Sequence, residues 1–502
     1  MKKIFLHYNN SNGKYISLFL LFLVLCSCSK DYLNTNPTDK VATSDAFSTT
    51  TNAWAAVNGI HRYMYSQFYS NQDQGGQSAN MIYMDMMGED LVMTAAANGW
   101  FNDSYKWLSH RVATDRVPKF NYLFYYTVIA NANMIIANID KAAGPEADRR
   151  AIKGEALAYR GWAYFQMIQL FGVRYDGTGA NNGAGLPIVL APSALATARA
   201  TIADVYGRIN QDLDAAMDLL QNFKRPNASH LNINVAQGIK ARVALTQEKW
   251  DSAAYYAKLA RTGFSLMGNA QYTAGFNDYT NPEWIWGIHQ QADQTSYFYS
   301  FFAYMSANYA STNIKTNPKA IFSKLYALIS ATDVRKQLWD STGKDPNVPI
   351  PSGGTRKPYM NRKFLVADPG SSIGDMPMMR SAEMYLIEAE GNARSGKASE
   401  AAQALYTLVH QRDPQYTLST STGSALVNEI MIQRRIELWG EGFRFYDLKR
   451  TNSPLDRSGG NHDNALAGGV INVPAGDIRW QFLIPQDEIN NSNGVIAQNP
   501  LN

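Results

Sequence analysis

Histidine is the side chain that most often moves protons or holds metals at neutral pH. Here histidines stand at positions 7, 61, 110, 230, 289, 410 and 462, and no two lie within four residues of each other. The sequence therefore has no zinc-protease pair and no cysteine–histidine metal signature. It also has no Gly-Lys-Ser/Thr phosphate loop. Asp85, Glu89 and Asp90 form a carboxylate cluster of the kind a glycosidase would place on opposite sides of a sugar ring. Capping and loop hydrogen bonds account for it equally well. Arg434, Arg435, Glu437, Glu441, Arg444 and Asp447 alternate in sign at helical spacing, which reads as ion pairs and caps tying helices together. Arg380 with Glu383, and Glu155 with Arg160, are read the same way. We expect no catalytic residue, no metal and no cofactor; the chain reads as a binder and not an enzyme.

Two stretches have side chains suited to a ligand with apolar faces and a rim of hydroxyls. Aromatic residues make up 12% of the chain, and their rings can cover such faces while Asn, Asp, Gln and Arg satisfy the rim. One stretch is Asn98-Gly99-Trp100-Phe101-Asn102-Asp103. The other is Asp293-Gln294-Thr295-Ser296-Tyr297-Phe298-Tyr299, continuing to Tyr304. Neither shows a helical stripe that would send all its rings into a core. The candidate ligand contacts are Asn98, Trp100, Phe101, Asn102, Tyr297 and Tyr299. Trp284 and Trp286 alternate as on a strand and are expected to be buried.

The elements that must position these loops are mostly helical. Apolar residues recur at helical spacing over Ala53–Phe68, Val117–Ala143, Ala147–Phe171 and Thr201–Leu220, the last opening with the capping box Thr201-x-x-Asp204. Residues 234–260 and 381–411 look like tetratricopeptide hairpins. Each has a tight polar turn (Gln247-Glu248-Lys249, Ser395-Gly396-Lys397) and a small residue, Ala253 or Ala401, early in its second helix. The two turns lie roughly 150 residues apart, so the repeat is not a plain solenoid. Gly-, Asn- and Pro-rich excursions interrupt it at 173–200, 268–317, 340–375 and 452–477, with a short strand over 283–288. The fold class is mostly α, a tetratricopeptide-like scaffold with long loop excursions and a few short strands.

The first thirty residues read as a targeting signal. Lys2, Lys3 and Lys14 precede an apolar run from Ile16 to Leu25 that is too short for a stable membrane span. It ends at Leu25-Cys26-Ser27-Cys28, which resembles the lipobox of bacterial lipoproteins, with lipidation at Cys28. The mature chain would be 475 residues (502 minus 27) with Cys28 as its one cysteine, so it has no internal disulfide. Removing residues 1–27 takes three lysines and no acid, turning the formal charge of +4 into about +1. Nucleic acid is therefore a poor candidate partner.

Several segments, in order along the chain, resemble the SusD/RagB family of outer-membrane nutrient-binding proteins. They are the lipobox followed by Asp31-Tyr32-Leu33 and Pro37, then Ala56-Val57-Asn58-Gly59-Ile60, and KGEALAYRGWAYFQMIQLFG at 153–172 with Gly185-Leu186-Pro187-Ile188. TIADVYGRINQDLDAAMDLL at 201–220, RSAEMYLIEAE at 380–390 and RRIELWGEGFRFYDLKR at 434–450 follow, then Phe482-Leu483-Ile484-Pro485 through Gln498-Asn499-Pro500. The resemblance implies a signal peptide over 1–27, a lipidated tether over 28–52, an N-terminal SusD-like part over 53–267 and a C-terminal RagB/SusD part over 268–502, packed as one globular unit. It implies a lipid-anchored outer-membrane protein of a Bacteroidota-type bacterium, facing the exterior. Such a protein would bind glycan as the lid of a SusC-like TonB-dependent transporter. Peptide cargo is the alternative, and a helical glycoside hydrolase the more distant one. The two aromatic loops resemble, in position along the chain, the regions that hold glycan in sugar-binding members.

Overall fold

The computed structural model describes residues 43–192, 195–294 and 297–501. The signal, Cys28 and most of the tether lie outside the described residues. Helices begin where the sequence supplies a cap. α1 (Thr50–Tyr63) starts at Thr49, whose hydroxyl accepts the Asn52 N–H. A central helix, α2 (Gln77–Met86), is buried along its whole length. α3 (Arg116–Asn138) starts at Asp115, whose carboxylate accepts the Val117 N–H at 2.8 Å. α4 (Glu146–Phe171) stops at Gly172, and α5 (Ile202–Leu219) carries both hydrogen bonds of the Thr201–Asp204 capping box. Each such side-chain cap contributes about 1 kcal/mol.

Two expected helix ends are corrected. The first helix stops at Tyr63, because the chain then turns through left-handed Tyr69 and Ser70. Phe68 leaves the helix but stays in the core, edge-on to Phe120 and Phe124. The second helix ends at Asn138 and tightens into a 3-10 turn, Ile139–Lys141.

Both expected hairpins form: α6 (Ile233–Thr246) with α7 (Trp250–Ala260), and α8 (Ser381–Arg394) with α9 (Ala398–Arg412). Their turns close alike. The Lys249 N–H reaches the Ala244 carbonyl at 2.9 Å and the Lys397 N–H reaches that of Asn392 at 2.8 Å. The middle turn residue is left-handed in each, Glu248 at φ +60° and Gly396 at φ +79°. Ala253 and Ala401 are fully buried.

The wide separation of the hairpins in sequence is not a separation in space. α7 packs directly against α8, and a Cβ on Gly391 would lie 2.6 Å from the Trp250 carbonyl oxygen. Only a glycine lets these helices approach so closely. α3 to α9 thus form one continuous row, each packed on the next, with residues 261–380 leaving and rejoining it between α7 and α8. α10 (Gly423–Glu437) covers α8 and α9, and α11 (Arg444–Arg450) packs on α2.

Among the described residues, five short strands lie in the excursion, and one that pairs with them, Leu91–Val92, precedes α3. β1 (Leu91–Val92), β3 (Ala320–Ile321), β5 (Met360–Asn361) and β4 (Trp339–Asp340) make an antiparallel sheet in that spatial order. β2 (Trp284–Ile288) pairs antiparallel with β6 (Met376–Arg380), which runs straight into α8. Trp284 and Trp286 are buried as expected. One hydrophobic cluster contains residues from Phe47 to Ile496, and a smaller one fills the space between α8, α9 and α10.

The charged set in the C-terminal third is a packing device. Arg335, Lys363, Arg380 and Arg412 face Glu283, Asp333, Glu437 and Glu441, all buried. Four cations thus meet four carboxylates. Arg380 donates to both oxygens of Glu441 (2.9 and 2.7 Å), to Glu437 (3.1 Å) and to Glu283. Arg412 donates to Glu283 at 2.8 Å and Glu437 at 3.2 Å. Burial opposes ionising Glu437, but the guanidinium groups of Arg412, Arg380 and Arg335 outweigh it and hold its carboxyl far below the ordinary range. A second set joins α10, α11 and α8: Asp447 accepts from Arg434 (2.7 Å) and Arg450 (2.8 Å), and Arg450 grips Glu390.

Two expected partnerships are corrected. Glu383 pairs with Arg242 of α6 instead of Arg380, because Arg380 sits in extended backbone before the helix and points toward the strand side. Glu155 meets His61 and His230, while Arg160, five residues on and so on another helix face, grips Asp212 of α5.

Candidate functional site

The carboxylates that could do hydrolysis are enclosed. Arg435 holds Asp90 at 2.6 and 3.0 Å, Arg444 holds Glu89, and Asp85 accepts the Gly442 N–H at 2.8 Å. All three carboxylates are buried. Burial pushes the Asp85 carboxyl up to about 8, with Asp90 and Glu441 adding to the effect against the Gly442 N–H and Lys363. A raised carboxyl beside an ionised one is what a general acid needs. Among the cavities lined by described residues, none of those found includes Asp85, Glu89 or Asp90 in its wall. These groups tie α2 and the segment that follows it to the chain from Arg435 to Arg444.

The two aromatic loops, roughly 200 residues apart in sequence, converge. They share a depression of about 160 Å³ lined by Gln72, Asn98, Phe298, Tyr304 and Ser311–Asn313. The first loop is held in a strained shape, with Ala97 at φ +46°, Gly99 at φ +90° and Phe101 at φ +66°. A left-handed phenylalanine costs about 1–2 kcal/mol. In return its ring is buried between Tyr83 and Tyr304, with centroids 4.8 Å away on each side. Such strain is sustained where the surroundings over-determine it, often at ligand clamps.

The candidate contacts divide accordingly. Asn98 is exposed and lines the depression. Trp100 is half-buried with Arg116 over its ring at 5.6 Å, and Arg116 is fixed by Asp73 at 2.8 Å. Phe101 is corrected: at 2% exposure it is a core residue that shapes the loop and offers no face to a ligand. Asn102 braces the loop by donating to the Ala96 carbonyl at 3.0 Å.

On the other side Tyr297 is 55% exposed, and Tyr299 is half-buried with its backbone against the Gly75 turn. Phe298, also 55% exposed, is the ring of this loop that lines the depression. It belongs to the second aromatic stretch but not to the expected contacts, since spacing alone does not separate it from Tyr297 and Tyr299. The Tyr304 hydroxyl lies in the same wall, buried and without a partner among the described residues. A buried donor without a partner is a position that a ligand oxygen can satisfy.

Two larger cavities lie elsewhere. One of about 350 Å³ sits beside His61 and His230, and one of about 660 Å³ lies between the 173–183 loop and residues 448–453. In the latter the aromatic lining residue is Trp480, which is buried, so it presents no exposed ring.

The comparisons with known proteins agree with the architecture. The profile described as "SusD family" matches residues 170–501, and one described as "starch-binding associating with outer membrane" matches residues 31–245. A SusD-like protein of Formosa agariphila is 23% identical, with 97% of this chain and 99% of that protein covered. A SusD-like carbohydrate-binding protein of Bacteroides vulgatus superposes with a TM-score of 0.78 at 24% identity, covering 89% of this chain and 97% of that one. A SusD superfamily protein of Bacteroides thetaiotaomicron gives 0.76 at 24%, covering 90% and 100%. A laminarin-binding SusD-like protein gives 0.68 at 19%, covering 90% and 100%.

Proposed function

The chain belongs to the SusD family, and from that premise we propose that it is a non-catalytic glycan-binding lipoprotein of the outer membrane. In this reading Cys28 carries the lipid, and the protein hands its cargo to a SusC-like TonB-dependent transporter. Among the described residues no helix is long and apolar enough to cross a membrane, which fits attachment through an acylated terminus.

The observation that carries the reading is the meeting of Asn98 with Phe298 and Tyr304 in one depression, with Trp100 and Tyr297 flanking it. An exposed ring can cover a sugar face while Asn98, Gln72 and the Tyr304 hydroxyl meet its oxygens. The laminarin-binding SusD-like protein gives the fold a precedent for glycan cargo of that kind.

Isothermal titration of the mature chain against a polysaccharide panel that includes laminarin, and against a peptide mixture, tests the cargo. Trp100→Ala should abolish glycan binding while leaving thermal unfolding near wild type. An unchanged titration discards this site, binding of the peptides alone moves the cargo to peptide, and release of reducing ends would make the protein a hydrolase.

A further inference from the structure

A second cluster, in a different cavity, has the makings of a metal site. His61 comes from α1, Glu155 from α4, and His230 from the loop before α6. Their ligand atoms all lie within 4.8 Å of one another. His230 Nδ1 is 2.8 Å from Glu155 Oε1, and His61 Nε2 is 3.5 Å from Glu155 Oε2. Ligands about 2.1 Å from a tetrahedral metal stand about 3.4 Å from each other. The three groups therefore need only small adjustments to share one ion.

Two further observations point to a ligand. His61 Nε2 is buried and makes no full hydrogen bond, its nearest charged neighbour being Glu155 Oε2 at 3.5 Å. The cluster also opens onto the cavity of about 350 Å³, whose wall includes Asn58, Arg62, Asn227 and Gln294. The Leu231 N–H donates to Glu155 Oε2 at 3.0 Å and orients the carboxylate, as an outer contact does for a metal ligand. Trp54 packs edge-on against His230 and Tyr159 against His61, which fixes both rings.

We propose that His61, Glu155 and His230 bind one divalent transition metal of the zinc type, with the fourth position open to the cavity for water or a ligand oxygen. Two imidazoles and one carboxylate suit zinc, whereas calcium requires six to eight oxygens. Ligation through His230 Nδ1 requires the ring tautomer with its proton on Nε2, so a proton held at Nδ1 toward Glu155 relocates to Nε2 with no net loss from the ring. Arg225 lies close but is committed to the carbonyls of His230 (3.1 Å) and Ile285 (2.6 Å). The ion would clasp α1, α4 and the 227–231 loop at a point where no described disulfide does so.

The test strips the mature chain with a chelator, dialyses it against zinc or calcium, and counts retained metal by atomic emission. One zinc per chain and no calcium is expected. His61→Ala and His230→Ala should each fall to background, and His410→Ala, on the exposed face of α9, should retain the metal. Zinc should also raise the thermal midpoint of the wild type and of neither active-cluster variant. Should an alanine variant lose its helical circular dichroism, diethyl pyrocarbonate footprinting of the wild type replaces it, with zinc expected to protect His61 and His230. Background zinc in the wild type, retention unaffected by both substitutions, or unprotected histidines would each overturn the proposal.

Discussion

Replacing Asp85 by asparagine removes a titrating group from the most enclosed part of the carboxylate cluster. Its carboxyl titrates near 8 in the folded chain against an ordinary value of 3.8. The folded state thus keeps a proton that the unfolded chain releases above about pH 4. Stability contributed at low pH is lost as pH rises between those two values, and the loss is complete above about 8. At pH 7 the difference of about 3 pKa units amounts to roughly 4 kcal/mol. Asparagine keeps an acceptor for the Gly442 N–H and adds no charge, so Asp85→Asn escapes this loss. Denaturant unfolding of both chains at intervals between pH 4 and pH 9 gives the readout. The stability of the variant relative to wild type should climb by roughly 4 kcal/mol from pH 4 to pH 7 and level off near pH 8. Any constant offset from the extra amide N–H cancels in that slope. A relative stability that stays flat with pH, or falls, refutes the assignment of a protonated Asp85.

Three further perturbations address the site and the scaffold. Phe298→Ala removes a ring that is 55% exposed at the depression. About 50–100 Å² of its face available to a ligand, at ~25 cal/mol per Å², predicts a tenfold to hundredfold rise in the glycan Kd with an unchanged melt. Arg380→Met leaves four buried carboxylates to share the three remaining cations Arg335, Lys363 and Arg412, and should cost about 3–5 kcal/mol by chemical denaturation. A loss below about 1 kcal/mol would show the network to be energetically idle. Gly396→Ala and Gly391→Ala separate backbone strain from crowding. The first meets no atom within 4 Å but sits at φ +79°, costing about 1 kcal/mol. The second drives a methyl against the Trp250 carbonyl and should cost more, about 1–3 kcal/mol. The reverse order would sink the close-approach argument.

Local signals in the sequence were legible wherever one residue type has one physical job. Thr201 and Asp204 could be read as a capping box, Gly396 as a turn residue, and Trp284 with Trp286 as a buried strand, because each follows from a contact with near neighbours in the chain. Partners across the fold were not legible. Nothing in the spacing of Arg380 and Glu383 reveals that one turns to Glu437 and Glu441 and the other to Arg242. His61 and His230 stand far apart in the chain, so a search for closely spaced histidines passes over them although their rings lie 4.6 Å apart. Phe101 and Phe298 were misjudged for a related reason. Both are aromatic residues in loops, and only the left-handed turn at Phe101, which swings its ring between Tyr83 and Tyr304, decides which of them is covered.

Two of the most recognisable segments of the chain commit their charges to packing. RSAEMYLIEAE and RRIELWGEGFRFYDLKR supply Arg380, Glu383, Glu390, Arg434, Glu437, Glu441 and Asp447, nearly all of them ion-paired in the interior. A buried charge tolerates almost no substitution, because removing one partner strands the other in a low-dielectric interior. The fold therefore fixes residue types there, whatever the protein carries. The depression is built from loops outside the helical row, tied to the core by Phe101, Tyr304 and the half-buried Trp100. The exposed residues Asn98 and Phe298 can therefore be exchanged without disturbing the row of helices. That separation makes Phe298→Ala a clean test of the proposed site, since its cost should fall on affinity and leave stability unmoved.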